Sequence, residues 1–166
     1  YSVQHRYADD GVSPGNAAAR DNATISVNVR DSDTGSGNNT TTVTVNNQTP
    51  TVALNAVSAV AENGVATLTG SYTDIGLSDA HTLTVNWGDA NSSTNSTFAV
   101  PATSGLTVNQ TINSSTGDGA VLTITAINTG TGQASFSVQH RYLDDGLAPG
   151  NTTTSDTSTI TVTVSD

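Results

Sequence analysis

An all-β chain of short antiparallel strands is the fold class this sequence predicts, and three observations predict it. Apolar residues recur at every second position in short runs, as in Ile25, Val27, Val29 and in Leu83, Val85, Trp87, the period that sends alternate side chains to opposite faces of a strand. The polar mass is Thr, Ser, Asn and Gly rather than charge: 11% of residues are charged and 34% hydrophobic. Thr favours strands, while Asn, Gly and Ser favour turns. No segment carries a 3.6-residue period of useful length. Short strands between turn signals at this spacing predict a sandwich of about eight to ten strands.

A repeat organises the chain. Residues 136–151, from Phe136 to Asn151, reappear at Tyr1 to Asn16 with four differences: Tyr1 for Phe136, Ala8 for Leu143, Val12 for Leu147 and Ser13 for Ala148. The match runs on without a gap, Asp21, Thr24, Ile25, Val27, Val29 and Asp31 falling on Asp156, Thr159, Ile160, Val162, Val164 and Asp166 at a constant offset of 135. Self-similarity at a fixed period is the signature of a repeat architecture. The expected organisation is a C-terminal part of one repeat at residues 1–47, followed by a second repeat at residues 48–166 that lacks its last strand.

The elements follow in order. Tyr1, Val3, His5 and Tyr7 share one face of a first predicted strand, and Asp9 to Asn16 form a turn through Asp-Gly and Pro-Gly. Strands at Thr24–Arg30 and Thr40–Val45 flank the loop Asp31–Gly37 as a hairpin. Asn46 to Pro50 form a junction, because Pro ends strand pairing and polar residues suit an exposed linker. Val52 and Leu54 open the second repeat. Ala66, Leu68 and Tyr72 suggest a strand in which Gly70 interrupts the alternation, and Leu83, Val85 and Trp87 line another that ends at Gly88-Asp89. Further strands are expected at Thr97–Val100, Leu106–Ile112, Ala120–Ile127 and Ala134–Tyr142. By the repeat, Asp166 should be followed by a loop and a strand equivalent to Thr40–Val45. Residues 1–47 are too few to bury a core alone. Each part is therefore expected to be completed by neighbouring sequence or by strand addition from another molecule.

Composition excludes several classes of function. The net charge is −10, with no Lys and only Arg6, Arg20, Arg30 and Arg141 as cations, which disfavours nucleic acid and anionic membrane surfaces. No apolar run approaches the roughly 20 residues of a membrane span. The absence of Cys removes disulfides, thiol nucleophiles and thiolate metal sites. It also leaves the compartment open.

Four motifs occur in sequence: Thr42–Val52, Leu68–Asp74, Ser78–Asp89 with its Trp87-Gly88-Asp89, and Ser137–Tyr142 with Asp144-Asp145-Gly146. Together they resemble the PKD-type immunoglobulin-like repeats of very large bacterial surface proteins, whose marks are a Trp-Gly-Asp-Gly turn and a His-x-Tyr strand. The resemblance covers residues 48–166 and part of 1–47. Ala90 departs from it where the family has Gly, and the stretch between Asn91 and Gly132 is longer than a minimal unit. The resemblance implies an immunoglobulin-like antiparallel sandwich, extracellular display at a cell surface in tandem arrays, adhesive, spacer or filament-forming roles, and no catalysis.

The candidate chemistry lies in carboxylates rather than in a catalytic group. His5 and His140 sit at inward parity beside aromatics and are expected as buried neutral imidazoles bonded to backbone. His81 lies near Asp79 as an isolated Asp-x-His pair. No nucleophile, base and orienting group are placed together, so no enzyme is expected. Asp31-x-Asp33-x-Gly35 has the alternate spacing that wraps oxygen ligands round calcium, although the third acid and later Glu of an EF-hand loop are missing. Glu62, the only Glu, could reach a site between repeats. Asp31, Asp33 and Glu62 are thus the metal candidates, with Asp9-Asp10, Asp144-Asp145, Asp74 and Asp79 beside them. The competing reading is that Asp caps turns through local bonds to backbone. Nine Asn-x-Ser/Thr sequons, at Asn22, Asn38, Asn39, Asn47, Asn91, Asn95, Asn109, Asn113 and Asn151, are possible glycan acceptors.

The expected function is a structural repeat of an extracellular surface protein or filament whose main partner is a neighbouring copy of the same repeat. The alternative is an adhesion module that binds carbohydrate or a host protein through loops at one end. Sugar binding needs an exposed aromatic platform, and Trp87 at inward parity is expected in the core.

Overall fold

The fold is seen in a computed structural model that describes residues 1–11, 18–92 and 94–166. Ten strands form three antiparallel sheets. β1 (Arg20–Arg30) and β2 (Ser36–Asn46) make a two-stranded hairpin. β3 (Thr51–Leu54), β4 (Val65–Thr73), β5 (His81–Asn86), β6 (Ser96–Val100), β7 (Thr111–Asn113), β8 (Val121–Asn128), β9 (Gln133–Arg141) and β10 (Thr161–Ser165) make an all-β sandwich. Its larger sheet runs β3-β4-β9-β8-β7 and its smaller sheet β10-β5-β6.

Alternation builds the core. Leu68 and Tyr72 of β4, Leu122 and Ile124 of β8, and Ala134, Phe136 and Val138 of β9 face Leu83 and Val85 of β5 and Phe98 and Val100 of β6. Val162 and Val164 of β10 pack on the same cluster, with Ile160 just before the strand. Each fully buried Leu, Ile, Val or Phe contributes about 1.5–3 kcal/mol of apolar transfer. Gly70 keeps the alternation rather than breaking it. It lies on the buried face, where a Cβ would meet the Ala53 carbonyl at 2.6 Å and the Phe136 ring at 3.1 Å. A side chain there would push β3 and Phe136 out of place.

Three expectations fail, each for a physical reason. Residues 1–7 form no strand, and Tyr1 and Val3 are 102% and 84% exposed; the matching strand β9 is held on one side by β4 and on the other by β8, and residues 1–7 have no such pair. Leu106–Ile112 is not a strand either. A 3-10 turn at Thr103–Gly105 precedes it, Asn109 takes a left-handed backbone (φ 68°), Val108 is exposed, and the regular ladder with β8 is confined to Thr111–Asn113, with Asn109 and Gln110 bonding the Ile124 backbone just before it. The junction is not wholly exposed, since Pro50 is buried. The first-copy turn lies only partly within the described residues, as residues 12–17 fall outside them.

The hairpin is longer than its alternation suggests. Its register is continuous from Arg20↔Asn46 to Arg30↔Ser36. Asp31 closes its loop: its Oδ1 accepts the amides of Asp33 at 3.0 Å and Gly35 at 2.7 Å, and its own amide donates to the Gly35 carbonyl at 3.0 Å. Thr34 takes the positive φ of 73° that this loop needs. β10, at the edge of the smaller sheet, has β5 as its one strand partner among the described residues.

Candidate functional site

Two motifs far apart in sequence meet at one end of the sandwich. β5 delivers Trp87, and the turn after it delivers Asp89, while β9 delivers His140 and Tyr142. The Trp87 ring lies 4.8 Å from that of His140 at an interplanar angle of 12°. The Asp89 carboxylate bonds His140 Nε2 at 2.8 Å, and the Tyr142 hydroxyl donates to the Trp87 carbonyl at 2.6 Å. Trp87 Nε1 donates to Ser96 Oγ at 2.8 Å, and the Ser96 hydroxyl donates in turn to Asp118 Oδ2. Burial alone would raise the Asp118 carboxyl, but hydrogen bonds from Ser96, Ser114 and the Ala120 amide hold it below its ordinary value. Gly88 makes the turn possible with φ 62°, and a Cβ there would strike the Thr159 carbonyl at 2.4 Å. The Trp87 indole, the Asp89 carboxylate and the Tyr142 hydroxyl are each bonded within the sandwich. Trp87 is 2% exposed and presents no platform to a sugar.

The histidines are held differently from the expectation. His140 is half-buried and bonds a carboxylate instead of backbone. His5 is exposed, and its contact is an edge-on approach of 4.7 Å to Tyr7. His81 is buried and pairs with Asp74 at 2.9 Å rather than with the nearby Asp79. Alternation explains the choice: His81 opens β5 facing inward, where Asp74 ends β4.

In both repeat copies the same trio of acids lies close enough to interact. In the second copy Asp145 is raised above its ordinary value by burial, then by the proton-sharing and charge of Asp144, then by Asp156. In the first copy Asp10 is raised by burial, then by Asp9, then by Asp21. These two sets match residue for residue at the 135 offset. Each copy then meets a different third acid. Glu62 joins Asp144 and Asp145, whereas Asp79 joins Asp9 and Asp10, with the ligand atoms of each group within 4.8 Å of one another. Asp74, Asp79 and Asp166 form a further group. Asp79 is buried, and its carboxyl is pushed up to about 7 by burial first, then by Asp9, Asp74 and Asp166.

Of the sequence candidates, Glu62 is brought together with two other acids, and Asp31 and Asp33 are not in any such group among the described residues. Asp31 instead caps the hairpin loop. Sequence reasoning ranked Asp79 low, because its partners Asp9 and Asp166 lie 70 and 87 residues away in the chain. The exact recurrence of Asp-Asp-Gly in both copies was the available signal.

The last feature is an open surface. Ile25, Val27 and Val29 of β1 are 41%, 38% and 60% exposed, whereas their counterparts Ile160, Val162 and Val164 pack on the core. No helix among the described residues is long and apolar enough to cross a membrane. Comparison with protein-family models, curated proteins and solved structures finds no match.

Proposed function

We propose that this chain is a structural repeat of an extracellular surface protein or filament, whose principal partner is a neighbouring copy of the same repeat. The observation that carries the reading is the unequal state of the repeated segment. Its second copy is built into a sandwich, and its first copy ends in a hairpin whose apolar side chains are open. An isolated two-stranded hairpin is at best marginally stable in water, so a neighbour that covers it supports stability as in other repeat arrays. The resemblance of the Trp87-Gly88-Asp89 and His140-x-Tyr142 marks to PKD-type repeats supports surface display. Electron microscopy of the native assembly tests the reading: a fibre or regular stalk with a unit of this size is expected, and dispersed single particles would contradict it.

Calcium belongs to the same proposal, at Asp9, Asp10 and Asp79, where the first repeat copy meets the sandwich. Oxygen ligands suit calcium, and the buried Oδ2 atoms of Asp9 and Asp10 have no hydrogen-bond partner among the described residues. An ion there would stiffen the junction. Thermal melts should show a midpoint that rises with calcium and falls with chelator; an unchanged midpoint removes the metal.

The adhesion reading has one observation in its favour. A cleft of about 420 Å³ lies between residues 57–62 and the segment around Asp144, Asp145 and Thr154–Ser158. Its lining carries Tyr142 as its single aromatic, and that hydroxyl is already bonded to Trp87. Glycan-array binding that is lost on filling this cleft would favour adhesion over structure.

A further inference from the structure

β1 and β10 are two copies of one strand in two settings. Arg20–Arg30 corresponds to Ser155–Ser165 at the 135 offset. In the second setting Val162 pairs with Val85 and Thr163 with Thr84, and Ile160, Val162 and Val164 lie on the core. In the first, the identical residues Ile25, Val27 and Val29 face no sandwich, and β2 holds one edge of the strand. The amide of Asp31 donates to Gly35 and that of Asn47 to Ala19. Odd-numbered residues of β1 therefore direct their backbone groups towards β2. The even-numbered ones, Asn22 to Arg30, direct theirs to an open edge.

We infer that this open side of β1 is a docking surface for the smaller sheet of a second copy of the chain. The β1–β2 hairpin of one molecule enters beside β5 of the other, in the place that β10 holds, so that the sheet becomes β2-β1-β5-β6. The inference rests on the proposed association of like repeats and names its surface and register.

Three observations favour the exchange. The apolar residues that would enter are the same Ile, Val and Val that leave, so the core contacts are restored. β1 is a strand over 11 residues, while its counterpart is a strand over only 5. The irregular remainder, Thr154 to Ile160, borders the cleft of about 420 Å³ against residues 57–62, a space alongside which the longer strand would run. Charge points the same way. β1 brings Arg20 and Arg30 where the resident segment has Ser155 and Ser165. Arg20 would arrive beside Glu62, Asp144 and Asp145, which line the same cleft as Ser155. With Asp21 and Asp156 counted, an acidic sandwich would exchange a segment of net charge −1 for one of +1 and gain β2 as a fourth strand. Because the donated hairpin and the receiving sheet are different surfaces, the contact is head-to-tail and extends to a filament unless its rotation closes a ring.

Disulfide trapping tests the register. Asn28 corresponds to Thr163, which pairs with Thr84, so chains carrying Asn28→Cys and Thr84→Cys are mixed, refolded together from guanidinium and oxidised with glutathione disulfide. A linked 28–84 heterodimer in at least tenfold excess over the pairing of Asn28→Cys with Thr67→Cys, on the other sheet, is expected. A yield equal to that control overturns the inference. Sedimentation of the unmodified chain and of Val27→Asn separates this inference from the proposed function. Self-association that Val27→Asn weakens at least tenfold, with an unchanged sandwich melt, supports the surface; self-association indifferent to Val27→Asn overturns the surface and leaves the association of copies standing.

Discussion

Residues 1–31 and 136–166 are two copies of one repeated segment in different structural states. Phe136 to Arg141 is a strand paired with β4 along its whole length and with β8 at Phe136 and Ser137, while Tyr1 to Tyr7 has no strand partner among the described residues and is mostly exposed. Val162 and Val164 are packed on a core, and Val27 and Val29 are not. The same trio of acids comes together in both copies but meets Glu62 in one and Asp79 in the other. Alternation therefore confers the capacity to pair, and the strand exists where partners supply hydrogen bonds and burial.

The largest test of this difference is truncation of matching residues. Phe136→Ala should cost about 3–5 kcal/mol, the usual range for emptying a buried aromatic site, and Tyr1→Ala should stay within about 0.5 kcal/mol, as for an exposed side chain. Guanidinium unfolding midpoints read both. Equal losses would mean that residues 1–7 are packed as β9 is.

The acidic groups separate the copies next. The Asp79 carboxyl is raised from 3.8 to about 7, so the folded chain holds this proton more tightly than the unfolded one. Its contribution to stability is complete below about pH 4 and is lost as pH rises through about 7. The loss is on the order of a few kcal/mol across that window. Urea unfolding between pH 5 and 8 should therefore show falling stability, and Asp79→Asn should flatten the fall. A slope unchanged in that variant would place the titrating group elsewhere.

A smaller difference is expected at the paired histidines. His140→Ala removes the partner of Asp89 and the ring stacked on Trp87, with a cost of about 1–3 kcal/mol for the buried carboxylate left unpaired. His5→Ala should stay within about 0.5 kcal/mol. Thermal melts followed by Trp87 fluorescence compare the two directly.

Much of the sandwich was legible because its strands alternate strictly. Leu68, Leu83, Val85, Phe98, Leu122 and Phe136 all face inward as their parity requires. Leu106 and Val108 alternate equally well, yet the left-handed Asn109 and the turn before them prevent pairing. Parity alone does not reveal such a break. The candidate site was legible only in pieces. The Trp-Gly-Asp and His-x-Tyr marks stood out, but the bond between Asp89 and His140 spans 51 residues, and no local pattern encodes it. Asp31 and Asp33 had the spacing of ligands and are used for a turn, because two backbone amides reach Asp31 first. The Asp79 carboxyl is raised by burial first and then by Asp9, a neighbour from the other repeat copy.

Hydrogen exchange at the amides of Ser26, Asn28 and Arg30, followed against chain concentration, reads whether the open edge of β1 pairs with a second copy. These amides face the open edge of β1, and their counterparts lie in β10. Fast exchange is expected in dilute solution with protection that grows with concentration, while the amides of Phe136, Val138 and His140, which face β4, stay protected throughout. Exchange at Ser26, Asn28 and Arg30 that is equally fast at every concentration would contradict it.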